Sequence, residues 1–190
     1  TSFTLPPNLT SLTISGSFTW NGCTALTSFT LPPNLTSLTI SGTSTWNACS
    51  SLNRITLSPN WRLSANFSTA PALNQAGLVL MIGELVDKRA DGVNTTTVST
   101  NSSSPIVTGV NSQFKKVFVE GDTININGAG NRTIATIDSD TQLTLTANAA
   151  ATGTGLAYNI NKTLTVGATH LAKLTTAEKA VATDKGWTLA

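Results

Sequence analysis

The sequence predicts a mainly β chain with a few helices: a solenoid of 26-residue period with a helix-containing C-terminal cap that is interrupted by a small β-barrel or sandwich. Three observations predict it. They are a near-verbatim internal repeat, strand-like alternation inside each copy, and a run of short β segments placed between two helical ones.

Residues 1 to 26, TSFTLPPNLTSLTISGSFTWNGCTAL, and 27 to 52, TSFTLPPNLTSLTISGTSTWNACSSL, agree at 21 of 26 positions, the first 16 without a change. A third copy opens as NRITLSPNW and then decays. In it Ile55, Leu57, Pro59 and Asn60 fall 26 residues after Phe29, Leu31, Pro33 and Asn34. Self-similarity of this length marks stacked units, each burying a face against the next. Within a copy Phe3 and Leu5, then Leu12 and Ile14, alternate with Thr, the period of a strand with one buried face. Pro6-Pro7 and Ser15-Gly16 turn the chain between them. Stacking sets equivalent residues about 4.8 Å apart, so each column becomes a ladder. The expected ladders are Thr4/Thr30/Thr56, Asn8/Asn34/Asn60, Trp20/Trp46 and Cys23/Cys49, with the apolar and Asn columns holding the stack together.

Residues 68 to 89 predict a helix region, with Leu78, Ile82, Leu85 and the flanking Val79 and Val86 on one face at helical spacing and Asn74 as its N-cap. Between 93 and 162 the pattern changes. Ser99 to Pro105 reads as a polar linker. Ile106-Val107, Lys116 to Val119, Thr123 to Ile126, Thr133 to Ile137, Gln142 to Leu145 and Leu156 to Ile160 read as short strands joined by Gly-, Asn- and Asp-rich turns. The end of the chain gives a strand at Leu164 to Val166, a helix opening on the capping box Thr175-x-x-Glu178 and stopping at Gly186, and a last strand at Trp187 to Leu189. The expected organisation is therefore 1–92 for the repeats and the first part of the cap, 93–162 for an inserted β-module, and 163–190 for the rest of the cap.

Charge is sparse. Lys, Arg, Asp and Glu make up 11% of the 190 residues, the net charge is +2, and no charged side chain occurs before Arg54. Ser, Thr and Asn carry the solubility instead, a balance that suits extracellular-type β proteins. No basic run offers a footprint for phosphates, so no nucleic-acid partner is expected. No apolar stretch approaches the roughly 20 residues of a membrane span. The chain opens at Thr1 within a repeat, which suggests an array that starts further upstream.

Candidate chemistry is thin. The one histidine, His170, has no nucleophile and acid in a recognisable arrangement around it, and no catalytic residue is assigned. Cys23 and Cys49 share a column, which leaves two readings, a disulfide or a ladder of buried thiols. Two cysteines supply too few ligands for a structural metal, and Asp138 and Asp140, with Asp122, read as turn residues rather than a Ca²⁺ loop. No metal and no cofactor is expected. Paired carboxylates for a polysaccharide depolymerase would have to come from beyond Glu84, and no cleft motif supports them. Stacked indoles of Trp20 and Trp46 are the candidate ligand-binding surface, weighed against simple packing. Asn-x-Ser/Thr triplets at Asn8, Asn34, Asn66, Asn94, Asn101, Asn131 and Asn161 carry little weight in so Thr-rich a chain.

The run CTALTSFTLPPNLTSLTI, echoed as CSSLNRITLSPN, resembles BspA-like (treponemal) leucine-rich repeats. KTLTVGATHLAKLTTAEKAVATDKGWTLA resembles the segment that closes such arrays. Thr19-Trp20-Asn21 and Thr45-Trp46-Asn47 depart from the family's usual Ala-Phe step. Residues 107 to 160, from VTGVNSQFKKVFVEGD to TGTGLAYNI, resemble a small β-module of phage tail and baseplate proteins. Together the resemblances imply a non-enzymatic structural or attachment protein of a virion, such as a phage fibre, tail-associated or capsid-decorating protein. A bacterial cell-surface adhesin is the alternative. Implied partners are a host cell-surface glycan or protein, other virion subunits, or a second copy of the chain. The implied place is the virion surface or the cell exterior.

Overall fold

The computed structural model describes residues 1–16, 19–42, 44–92 and 95–190. Asn94, in one of the glycosylation triplets, and residue 93, at the expected start of the inserted module, lie outside them. The chain divides into two compact units: Thr1–Leu85 with Lys162–Thr183 and Thr188–Ala190, and Val86–Asn161 with Asp184–Trp187.

In the first unit each full repeat makes two short strands. The first copy gives β1 (Ser2–Thr4) and β2 (Ser11–Ile14), the second β3 (Ser28–Thr30) and β4 (Ser37–Ile40), and the third β5 (Arg54–Thr56), followed by β6 (Ala65–Asn66). β1, β3 and β5 pair in parallel, Phe3 opposite Phe29 and Phe29 opposite Ile55. β2 pairs in parallel with β4, Leu12 opposite Leu38 and Ile14 opposite Ile40. The offset is 26 residues throughout, because a slip of one residue would turn every apolar side chain to the other face. Turns follow the same register: Trp20 N–H donates to Thr45 O at 2.9 Å and Gly22 N–H to Asn47 O at 2.9 Å. Phe29, Leu31, Trp46, Leu52, Ile55 and Leu57 form the buried interior of these copies.

Helix α1 (Gln75–Glu84) follows. Asn74 caps it, its Oδ1 accepting from Gly77 N–H at 2.8 Å. Gly77 is where helix and third copy meet, since a Cβ there would fall 2.5 Å from Asn53 O. Glu84, at the end of α1, takes over the hydrogen bonds that a further copy would make. Leu31 N–H donates to Thr56 O, whereas the equivalent Leu57 N–H, 26 residues on, donates to the Glu84 carboxylate at 2.7 Å and Trp61 N–H to Glu84 O at 2.8 Å. Burial pushes the Glu84 carboxyl above its ordinary range, against the pull of the Leu57 N–H and of Arg54.

The described strands of the second unit form one antiparallel sheet. Its elements are β7 (Thr97–Asn101), β8 (Ser104–Val110), α2 (Phe114–Val117), β9 (Thr123–Ile126), β10 (Gly130–Ser139), β11 (Gln142–Leu145), β12 (Gly153–Leu156) and β13 (Tyr158–Asn159). The seven strands lie in the order β12-β7-β8-β11-β10-β9-β13. β12 and β13 occupy opposite edges yet only Ala157 separates them in the chain, so the edges approach each other and the sheet is nearly closed, like a barrel. Closure of this kind leaves little free edge for stray pairing. Val98, Val107, Phe114, Phe118, Ile124, Ile126, Leu143 and Tyr158 are buried in it.

Two expected features of this unit are replaced. Lys116 to Val119 does not form a strand: Phe114, Val117 and Phe118 are all buried, a helical i, i+3, i+4 spacing that makes α2 and the turn after it. Ser99 to Pro105 is not a linker but a hairpin, Asn101 pairing with Ser104 and its side chain accepting from Ser103 N–H at 2.8 Å.

Back in the first unit come β14 (Thr163–Thr165), α3 (Ala168–Leu171), α4 (Thr176–Asp184), whose last residue already counts with the second unit, and β15 (Thr188–Leu189). β14 pairs in parallel with both β6 and β15. The capping box before α4 is formed, Glu178 accepting from Thr175 N–H at 2.7 Å and Thr175 Oγ1 from Glu178 N–H at 3.2 Å. Gly186, at φ +95°, supplies the left-handed turn that releases the chain from the helix.

The expected architecture, a leucine-rich-repeat solenoid of 26-residue period with an interrupted cap, is thus corrected. The copies do stack in register, but they yield only a three-stranded and a two-stranded parallel sheet, and the cap adds another of three. The largest sheet among the described residues is the nearly closed antiparallel one, in which the 26-residue period plays no part. The protein is mainly β with small sheets. Two full copies and a fragment are too few to set the architecture of the chain, however conspicuous the period.

Candidate functional site

Alternation in the SLTI segments decides what the repeats present outward. With Leu12, Ile14, Leu38 and Ile40 on one face of the β2–β4 pair, Ser11, Thr13, Ser37 and Thr39 project from the other, and all four are exposed. Register places Ser11 beside Ser37 and Thr13 beside Thr39. Equivalent hydroxyls therefore stand about 4.8 Å apart across the pair and about 6.6 Å apart along it. At its Thr39 end the array borders a groove of about 260 Å³ lined by Thr39, Ser64, Asn66, Thr163 and Thr165 together with the apolar Leu38, Ile40 and Ala65. Every polar group named is a neutral donor and acceptor, which fits ligands rich in hydroxyls or amides and gives no purchase to a bare ion.

The candidate indoles lie elsewhere in the same unit. Trp20 and Trp46 stack with ring centroids 4.5 Å apart and planes 12° from parallel, while Phe3 and Phe29 stack at 5.6 Å and 7°. Phe29 meets Trp46 edge-on at 4.8 Å, locking the two columns together. Trp46 is 0% exposed, so it cannot touch a ligand, and a joint sugar platform of Trp20 and Trp46 is corrected to a packed aromatic column. Trp20 is half-buried. With Phe3, 40% exposed, it borders an apolar hollow of about 380 Å³ rimmed by Gly22, Cys23 and Leu26. Phe3 was not among the sequence candidates, although its place opposite Phe29 follows from the period.

The other columns are structural. Asn8, Asn34 and Asn60 are all exposed; Asn34 Nδ2 donates to Pro7 O at 3.0 Å, and Asn60 adopts a left-handed φ of 59° in its turn. Cys23 and Cys49 are free thiols. Cys49 is buried, donates to Trp20 O at 2.8 Å, and has its thiol pushed up by burial. His170 is buried in α3, its Nδ1–H donating to Val166 O at 2.9 Å. Asp138 accepts from Thr136 and Thr144 hydroxyls and Asp140 from Lys115 N–H, bonds of hairpin and turn. Among the described residues no three His, Cys, Asp or Glu side chains come together as a metal site, and no helix is long and apolar enough to cross a membrane.

No protein-family model, curated protein or solved structure matches the chain.

Proposed function

We propose that the protein is a non-enzymatic structural or attachment component of a virion, a fibre, tail-associated or capsid-decorating protein that meets a host surface or neighbouring subunits through its uncharged hydroxyl face. The observation that carries this reading is the exposed, in-register Ser11/Ser37 and Thr13/Thr39 array with its hydroxyl-edged groove. Such a face forms many weak neutral hydrogen bonds, each worth about 0.5 to 1.5 kcal/mol, and gains strength from copy number rather than from one deep pocket. The resemblance of residues 107 to 160 to a phage tail module supports a virion over a cell wall as the place.

Quantitative mass spectrometry of gradient-purified particles tests it. Peptides of this chain at a fixed stoichiometry to the major structural proteins are expected. Their absence from particles, with the chain recovered from bacterial envelopes instead, favours the cell-surface adhesin.

A further inference from the structure

In the second unit, three asparagines line up across three strands. Antiparallel register sets Asn159 of β13 opposite Asn125 of β9, and Asn125 opposite Asn131 of β10. Directly opposed residues share a face. The opposite face carries Ile124, Ile126 and Tyr158, all buried, so the asparagines stand on the outer side. Asn125 Nδ2 donates to Asn131 Oδ1, which fixes that pair. The side-chain amides of Asn127 and Asn159 are exposed and make no hydrogen bond among the described residues.

Lys88 completes the arrangement. Its stem lies against Gly186, where a Cβ would fall 2.6 Å from Lys88 Cδ, so the glycine leaves the space that the stem occupies. Its ammonium donates to Tyr158 O at 2.8 Å and sits 5.1 Å from the centre of the Tyr158 ring. One of three ammonium donors is thereby used, and among the described residues no other acceptor takes the remaining two. Lys88, Asn125, Asn127 and Asn159 surround a cavity of about 270 Å³. Asp87, the neighbouring acid, is paired with Arg89 at 2.9 Å and its charge also acts on Lys88, but among the described residues Lys88 itself is in no salt bridge. Burial has already stripped part of the water from that ammonium and pushes its pKa down.

We propose that this cavity binds a carboxylate-bearing saccharide, a hexuronic or similar acidic sugar unit, with the carboxylate on Lys88 and the ring hydroxyls on Asn125, Asn127 and Asn159. Amides offer both donors and acceptors, which match hydroxyls. A simple anion would meet their oxygens as unfavourable neighbours, so the mixture favours a sugar acid over sulfate or phosphate. Tyr158 is buried and gives no stacking face, which makes the single site weak and dependent on multivalent display. The inference rests on the attachment reading above and names the kind of surface that would be recognised.

Titrating the full chain, labelled with ¹⁵N, with a hexuronic acid trisaccharide tests the site by amide shift changes. Saturable shifts at Asn125, Asn127 and Asn159 are expected, weakened about tenfold or more by Lys88→Met, which keeps the stem but removes the charge. The neutral hexose trisaccharide and sodium sulfate are expected to bind at least that much more weakly. If Lys88→Met does not fold, Asn127→Ala and Asn159→Ala, at exposed positions, carry the test. Absence of shifts at these amides, equal shifts with the neutral sugar or with sulfate, or binding unchanged in the variants overturns the proposal. The particle analysis is independent: a chain found on virions that binds no acidic sugar here keeps the attachment reading and loses this site.

Discussion

The indoles of Trp20 and Trp46 stack face to face at 4.5 Å, yet Trp46 is fully enclosed and Trp20 half-buried. Identical residues at identical positions of the repeat thus differ in burial within these 190 residues. Trp46 has Trp20 on one face and the edge of Phe29 against it, whereas Trp20 opens onto the apolar hollow beside Phe3.

Unequal costs follow. Trp46→Ala is expected to lower the stability of the first unit by about 3 to 5 kcal/mol, the range for emptying a large aromatic site. Trp20→Ala should cost about half of that or less, because less apolar area is withdrawn from water. Urea unfolding of each variant reads the difference, and equal losses would contradict the packing described.

Helix α1 offers a paired test of glycine. Gly83 faces open space, so Gly83→Ala should raise stability by about 0.5 to 1 kcal/mol through helix propensity and a less flexible unfolded chain. Gly77→Ala gains the same propensity but sets its methyl against Asn53 O, and it is expected to destabilise. Thermal unfolding of the two variants should move in opposite directions.

Tyr158 gives the pH dependence. It is the only tyrosine, and burial pushes its phenol from 10.0 up to about 12, with the Thr96 hydroxyl 3.2 Å away and pulling the other way. The unfolded chain loses this proton first. Above about pH 10 the folded state therefore binds more protons than the unfolded state, and its stability falls as pH rises toward 12. Full development of the shift is worth about 2 to 3 kcal/mol. Tyrosinate absorbance should titrate well above 10 in the folded protein and near 10 in urea. Tyr158→Phe should remove the alkaline loss of stability, and a normal titration in the folded state would refute the burial.

The two thiols should separate by reactivity. Cys49 is buried and held protonated, while Cys23 is half-buried at the rim of the apolar hollow. Only thiolate attacks a disulfide reagent. One fast and one slow equivalent are expected in native protein at pH 8, both fast in urea, with peptide mapping placing the fast label on Cys23.

Side-chain pattern carried the local structure far. The period of 26 was legible because Phe3, Phe29 and Ile55 seek the same partners, and the register follows from that. The Asn74 cap, the Thr175–Glu178 box, and the strands at Thr123–Ile126 and Gln142–Leu145 were legible for the same reason: each depends on neighbours in sequence. What the pattern hid was long-range. β14 pairs with β6 across about a hundred residues, and no local signal announces that partner. Nor does the sequence show that β12 and β13, one residue apart, end on opposite edges of one sheet. Lys116 to Val119 misled because its β-prone residues sit beside Phe114, whose burial selects helical spacing instead. Of the site, Trp20 and Trp46 were legible as a stacked pair but not as one buried and one half-open ring. The Asn125/Asn159 row was invisible, since its members are 34 residues apart and meet only through strand order.

The decisive measurement is immunogold electron microscopy of intact particles with antibodies raised against this chain. A virion component gives gold at a fixed position on the tail, fibre or capsid surface. Particles without gold, beside labelled bacterial envelopes, would contradict the virion assignment.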